Sequence, residues 1–308
     1  MDEENIVQKR IDKYIYWVEF SKMKYPAQMW VIISVCGTII IGIISFFASN
    51  LILREFTLLP LAFSLAALVL ILGYPYMKKE AVIDSIERNF SDALKQMADT
   101  LKAGDTYESA LREVVESDYG RLSEEMQIAL RRLEDGENLE NALNGFAERV
   151  DSRLVKRTIL IILDSIRTGA SLAEILDEIA DDVHDFQRLK EDRKANTTMQ
   201  FYFMVAAGGF IAPAIFGEIN AVIGAFSSIS AQNLTPAELL AGEQMNNFMI
   251  MLIQLYIIIE VIGCGVMMSI IREGKINKSI IYIPLLLLVS FIAYYASTIA
   301  IKFMIAGA

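Results

Sequence analysis

The chain has 308 residues, 54% of them hydrophobic, a mean hydropathy of +0.41 and a formal net charge of −10. That apolar content is too high for a soluble enzyme of this size, so the 21% of charged residues must be segregated from the apolar runs, and the length allows one or two domains. His184 is the single histidine and both cysteines, Cys36 and Cys264, sit in apolar runs, so a metal, another cofactor or a structural disulfide is not expected.

Residues 1–27 are charged, and Ile11, Tyr14, Ile15 and Val18 continue an apolar stripe begun by Ile6 and Val7. The segment reads as an amphipathic helix on the membrane surface, anchored by Trp17 and Trp30, or as one packed on the chain's own cytoplasmic bundle. No signal peptide is visible, because the first apolar run begins late and lacks a small-residue cleavage site. Two spans follow at about 28–49 and 56–77, making a hairpin over 28–79, and each exceeds the roughly 20 apolar residues that cross ~30 Å of hydrocarbon. Three more spans are expected at 198–224, 247–271 and 280–303, within a C-terminal region 198–308.

Between the two blocks, residues 80–197 form a charged insert in which one pattern occurs three times. Leu101, Gly104, Tyr107 and Leu111 have the same spacing as Leu133, Gly136, Leu139 and Leu143, and as Ile166, Gly169, Leu172 and Leu176. Each copy reads as a helix corner. Glycine at C′ takes the left-handed conformation without a Cβ penalty, and Asp105, Asn138 or Ser171 is placed to cap the next helix. Asp105 with Glu108 and Ser171 with Glu174 have capping-box spacing. Three corners predict six helices, near 82–103, 106–116, 120–134, 139–149, 152–168 and 171–196. The expected fold class is therefore all-α, a polytopic membrane protein with five transmembrane helices and a cytoplasmic six-helix bundle.

Orientation is read from Lys and Arg. Five lie in residues 1–27, 18 in 78–197 and three in 272–278, 26 in all, against two elsewhere, Arg54 and Lys302. The asymmetry predicts a cytoplasmic N-terminus and bundle, with the C-terminus outside the cell membrane. Residues 78–197 carry 27 acids against those 18 bases. Such a surface argues against nucleic acid and suits either plain solvation or docking of a basic protein.

No helix breaker lies between Ser171 and Phe203, so the last bundle helix is expected to run into the third span as one rod. Within that span Pro213 is a candidate hinge, since it removes a backbone hydrogen bond, and Gly208, Gly209 and Gly217 permit close helix approach. The segment 227–246 reads as an outer loop holding a short capped helix at Thr235-Pro236-Ala237-Glu238. Two carboxylates fall in apolar sequence and are candidate intramembrane functional residues. Glu218 is placed near the outer headgroups, whereas Glu260 lies mid-span, where a charge is costly and must face the interior, be protonated or find a partner. Its alternatives are structural hydrogen bonding, contact with a protein substrate, or an ion path. No phosphate loop, His-Glu-x-x-His, Gly-x-Ser-x-Gly or histidine triad occurs, so the chain itself is not expected to be an enzyme.

The pattern around Leu101-Lys-Ala-Gly104, the later Arg167-Thr-Gly169-Ala-Ser-Leu172 and the adjoining span resemble the type II secretion system F proteins over about residues 82–225. These are membrane platform proteins of type II secretion, type IV pili and archaeal flagella. One bundle preceded by a two-span hairpin is similar to the shorter tight-adherence and archaeal pilus members. Arg167-Thr168 stands where the family often has Glu before its Gly pair. The resemblance implies a non-enzymatic platform that couples a cytoplasmic hexameric secretion ATPase to pilin-like subunits, in a homo- or hetero-oligomer with a related platform protein. The competing class is a transporter or channel using Glu260; an intramembrane acid protease is a weaker third, since no second buried carboxylate pairs with it.

Overall fold

The computed structural model describes residues 11–12, 14–23, 25–52, 59–168, 171–230 and 235–306. Among them every regular element is helical: α1 (Ala27–Ile52), α2 (Leu59–Lys102), α3 (Tyr107–Glu116), α4 (Arg121–Glu134), α5 (Leu139–Val150), α6 (Arg153–Arg167), α7 (Leu172–Asn196), α8 (Thr198–Met204), a π-helical segment (Val205–Ile211), α9 (Ala212–Ser230), α10 (Pro236–Glu273), a 3₁₀ turn (Ile276–Lys278) and α11 (Ser279–Ala306). Five stretches are long and apolar enough to cross a membrane: Ala27–Phe47, Pro60–Lys102, Thr198–Ser227, Glu238–Glu273 and Ile276–Ile305. The chain divides into two compact units, Met1–Met77 with Lys194–Ala308, and Lys78–Arg193.

In the first unit, two long helices carry a proline or a π segment without ending there. Span two and the first bundle helix, expected to be separate, are one helix, α2, with Pro75 inside it. Pro75 has no N–H to give the Ile71 carbonyl, four residues back; the Trp30 indole N–H supplies that bond at 3.1 Å. The freed acceptor is thus satisfied from α1, and the helix continues. Residues 14–20 are helical, with Val18 and Phe20 buried and the Trp17 ring 5.0 Å from Tyr76, so this part of the N-terminal segment packs on the chain's own second span. The unit's core gathers Ala62 and Ala66 of α2, Ile257, Val261 and Met268 of α10, and Leu286, Leu287, Phe291 and Tyr294 of α11.

Two further expectations are corrected here. The 227–246 loop contracts, because α9 runs to Ser230 and α10 starts at Pro236. The Glu238 carboxylate accepts from the Thr235 N–H and hydroxyl, both at 2.8 Å, and beyond Pro236 the run Ala-Glu-Leu-Leu-Ala has nothing to stop a helix. The expected short helix is the first turns of span four. The single rod from Ser171 into span three is also interrupted: Thr197 has φ −95° and ψ 1° between α7 and α8. The hydroxyls of Thr197 and Thr198 both donate to the Lys194 carbonyl, at 3.3 and 2.7 Å, a back-bonding that competes with the regular ladder.

In the second unit, helices end and restart. Gly104 and Gly136 have φ of 95° and 91°. At the first corner Gly104 N–H bonds to Leu101 O and Asp105 N–H to Thr100 O; at the second Gly136 N–H bonds to Leu133 O and Glu137 N–H to Arg132 O. Both are Schellman closures. Because the residue after each glycine is committed to that closure, the helix cap falls one place later. Thr106 accepts from Ser109 N–H, and Asn138 from Asn141 N–H. Asp105 is therefore not the cap expected of it. Gly169 lies outside the described residues.

The interior of this unit is built on Phe90 and Phe146, whose ring centroids are 6.1 Å apart, with Ile86, Leu111, Leu122, Met126, Ile159 and Leu176 fully buried around them. Its buried charges are bonded. Glu125 accepts from Arg149 Nε at 3.0 Å and faces Arg121 at 3.1 Å. Glu87 takes the Ser152 hydroxyl at 2.7 Å and Lys190 at 3.1 Å, while Lys79 meets Asp151 at 3.1 Å. Burial opposes ionisation of Asp151, but its bonds to Lys156 and Lys79 prevail and hold the carboxyl below its ordinary range.

Candidate functional site

Two places combine unusual backbone or charge with accessible chemistry, one in each unit. In the membrane unit the π-helical segment supplies the geometry. Ala212 N–H donates to Ala207 O, five residues back, and the following residue, Pro213, has no N–H to offer the Gly208 carbonyl. Pro213 itself is buried at the start of α9. Gly208 lies against α10: a Cβ there would come within 2.6 Å of Cys264 Sγ and 3.9 Å of Glu260 Oε1. Glu260 and Cys264, four residues apart on one helical face, thus line up on the π segment. Glu260 Oε2 is buried without a hydrogen-bond partner. Among the described residues that oxygen thus has no donor, an arrangement suited to a proton or to a hydrogen-bond donor from another chain.

Glu218 does not share this crossing. It is exposed on α9, and the ten residues from Gly208 to Glu218 place it ~15 Å further along the span. Between them Gly217 marks the tightest crossing, where an added Cβ would strike Tyr294 O and the Ser297 hydroxyl of α11. The Ser297 hydroxyl donates to Ala214 O at 2.8 Å and the Thr298 hydroxyl to Gly217 O at 3.1 Å, so the two helices are tied backbone to side chain.

In the unit Lys78–Arg193, an open groove of about 640 Å³ lies between α2, the Gly104 corner and the α3–α4 turn. Its walls carry Asp92, Asp99, Asp105 and Glu113 against a single lysine, Lys95. Lys95 is itself engaged by Asp177 at 2.5 Å and Asp181 at 3.5 Å. The floor is a hydrogen-bonded chain: Tyr119 hydroxyl to Gln96 Oε1 at 3.0 Å, Gln96 Nε2 to Ser117 Oγ at 2.7 Å, and Thr100 hydroxyl to Glu113. The bonds from Thr100 and then Gln96 hold the Glu113 carboxyl below its ordinary range. The groove therefore presents fixed negative charge to solvent, which suits a basic side chain.

The individual acids were legible in the sequence, but their convergence was not, since they come from residues 92–119 on two helices and a turn. Glu260 was legible as a mid-span charge. Its partner Gly208 was visible only as a small residue. His184 is exposed, and the two thiols are unbridged.

Residues 93–219 match the family model of the type II secretion system (T2SS), protein F. The matched stretch runs from α2 into α9, so it includes the groove apart from Asp92, the π segment and Gly217, whereas Glu260 and α11 lie beyond it. An uncharacterized protein of Methanocaldococcus jannaschii is 24% identical over 153 residues, which are 49% of this chain and 50% of that protein. The chain thus spans about half the length of the curated relative it matches. No solved structure matches.

Proposed function

We propose that this chain, whose residues 93–219 match the model of the type II secretion system protein F domain, is a membrane platform of a type IV pilus-like or type II secretion machine. The observation that carries the reading is the span of that domain, which joins helices of the charged unit to the third membrane helix in one matched stretch. In this reading Lys78–Arg193 is a cytoplasmic six-helix bundle, the N-terminus is cytoplasmic and the C-terminus is outside. The acidic groove receives a basic segment of a cytoplasmic hexameric secretion ATPase, and the spans receive pilin-like subunits within an oligomer of this chain or a related one. The chain carries force rather than catalysing a reaction. Motion passes through α7 and α8 across the Thr197 break, where a single residue in a non-helical conformation gives the coupling a hinge rather than a rigid rod.

The charge excess of residues 78–197, 27 acids against 18 bases, supports electrostatic docking. Capture of the purified ATPase by the full chain in detergent should weaken as salt rises and the Debye length falls from ~10 Å at 0.1 M. Replacing the exposed Asp92 and Asp99 together by Lys should abolish capture while the protein stays monodisperse. Unchanged capture would remove the groove from the docking surface. Sidedness is tested by an impermeant thiol reagent on intact cells, in a chain lacking Cys36 and Cys264. A cysteine at Ser230 or Ala308 should react, and one at Asp118 should not. A second reading, a transporter using Glu260, is favoured by the unpartnered Oε2. It requires Glu260→Gln to abolish ion flux in proteoliposomes, whereas the platform reading predicts no flux to abolish.

A further inference from the structure

Where α10 ends and α11 begins, the membrane unit concentrates positive charge. Residues 194–217 and 261–301 contain Lys194, Arg272, Lys275 and Lys278, but one acid, Glu273. That carboxylate is shared by Lys278 at 2.9 Å and Lys194 at 3.5 Å. Arg272 is held differently. Its guanidinium carbon lies 4.6 Å from the centroid of the Phe201 ring, and Phe201 meets Tyr282 edge to face at 5.8 Å. A π face positions a guanidinium without neutralising it. The connecting turn is fixed: Gly274 closes α10 with φ 67°, and the Ser269 hydroxyl donates to Lys275 O at 2.5 Å, leaving the Lys275 side chain exposed.

We propose that this corner is a binding site for the phosphate of an anionic lipid headgroup, with Arg272 and Lys275 as its contacts and Lys278 and Lys194 behind them. Three observations converge on that ligand. The charge is net positive and localised within one turn of the connection. It sits where two stretches long and apolar enough to span a bilayer end, at the depth of headgroups, with the aromatic rings typical of that depth. The guanidinium fork, orientated by Phe201, matches two phosphate oxygens better than a point charge does. The two contacts, Arg272 and Lys275, lie outside residues 93–219, and the proposal is independent of the platform reading.

The test uses the full chain, extracted from nanodiscs of phosphatidylcholine and phosphatidylglycerol in equal parts, with retained lipid counted by native mass spectrometry. Wild type should retain phosphatidylglycerol in preference to phosphatidylcholine. Lys275→Gln should weaken that retention about fivefold, and Arg272→Gln by at least as much, as expected for removing one cation near a charged surface. Lys302→Gln, a cation elsewhere on α11, should leave it unchanged. Lys275 is exposed, so its variant tests the site even if Arg272→Gln does not fold. Equal retention of the two lipids, or full retention by Lys275→Gln and Arg272→Gln, overturns the proposal. So does displacement of the bound lipid by inorganic phosphate, which would make the ligand a soluble anion.

Discussion

The two units solve one problem in opposite ways. In Lys78–Arg193, helices are interrupted freely: each described glycine corner ends a helix, and a side-chain cap starts the next. Within the spans of the membrane unit, helices continue past their prolines, and the break at Thr197 falls just before span three. Pro75 stays inside α2 because Trp30 bonds the carbonyl it leaves free, and the turn before Pro213 widens into a π segment. The difference teaches what the solvent permits. Water satisfies the carbonyls at an open helix end, while hydrocarbon does not, so a span borrows a donor instead of stopping. Acids of the first kind of unit bond to Arg and Lys, whereas Ser297 and Thr298 bond to the backbone of α9.

The strongest way to break the comparison is to show that the charged unit does not depend on its own core. Phe146→Ala should remove ~3–5 kcal/mol, because the ring is fully buried against Phe90. Hydrogen exchange of the α3–α6 amides in the intact chain measures this; unchanged protection would mean the unit is held from elsewhere. Next is the close crossing in the membrane unit. Gly217→Ala should cost ~1–3 kcal/mol, since its Cβ meets backbone at Tyr294, while Gly224→Ala, which faces open space, should be near neutral. Thermal melts of both variants in detergent separate crowding from helix propensity.

The corners give a smaller effect of a different origin. Around Gly104 and Gly136 an added Cβ meets nothing within 4 Å, so Val there should cost ~1 kcal/mol or more through backbone conformation alone. An Asn substitution, which tolerates the left-handed region, should recover part of that loss in the same melts. Trp30→Phe should cost about 1 kcal/mol by leaving the Ile71 carbonyl without its donor. If it melts like wild type, the helix through Pro75 is sustained some other way.

The last effect is a pH dependence confined to the charged unit. Bonds from Lys102 and then Lys95 lower the Asp177 carboxyl, and Thr100 with Gln96 lower Glu113, beside the lowered Asp151. A carboxylate lowered in the folded state stabilises it above the unfolded pKa. That contribution is lost as pH falls from ~4 through the folded values. Protection of α3–α7 amides should therefore drop between neutral and strongly acidic pH, with little change in the α9–α11 amides.

What the sequence determined by itself is what neighbouring residues decide among themselves. Apolar runs of span length, a glycine following an apolar turn and the Thr235-Pro236 start are properties of a few consecutive residues, and they place the five long apolar helices. Even there, local rules favoured breaks that did not occur: α2 runs through Pro75, and α10 absorbs the expected short helix. Tertiary structure decided whatever required a distant partner. The carbonyl freed by Pro75 is met by a tryptophan 41 residues earlier in the chain. Glu260 acquires its surroundings from Gly208 on another helix, and the four acids of the groove converge only when α2 and α3 pack. Local pattern fixes which segments become helices, because backbone bonding is satisfied within them. Where those helices continue past a proline, and which charges face one another, depends on atoms supplied from elsewhere in the fold.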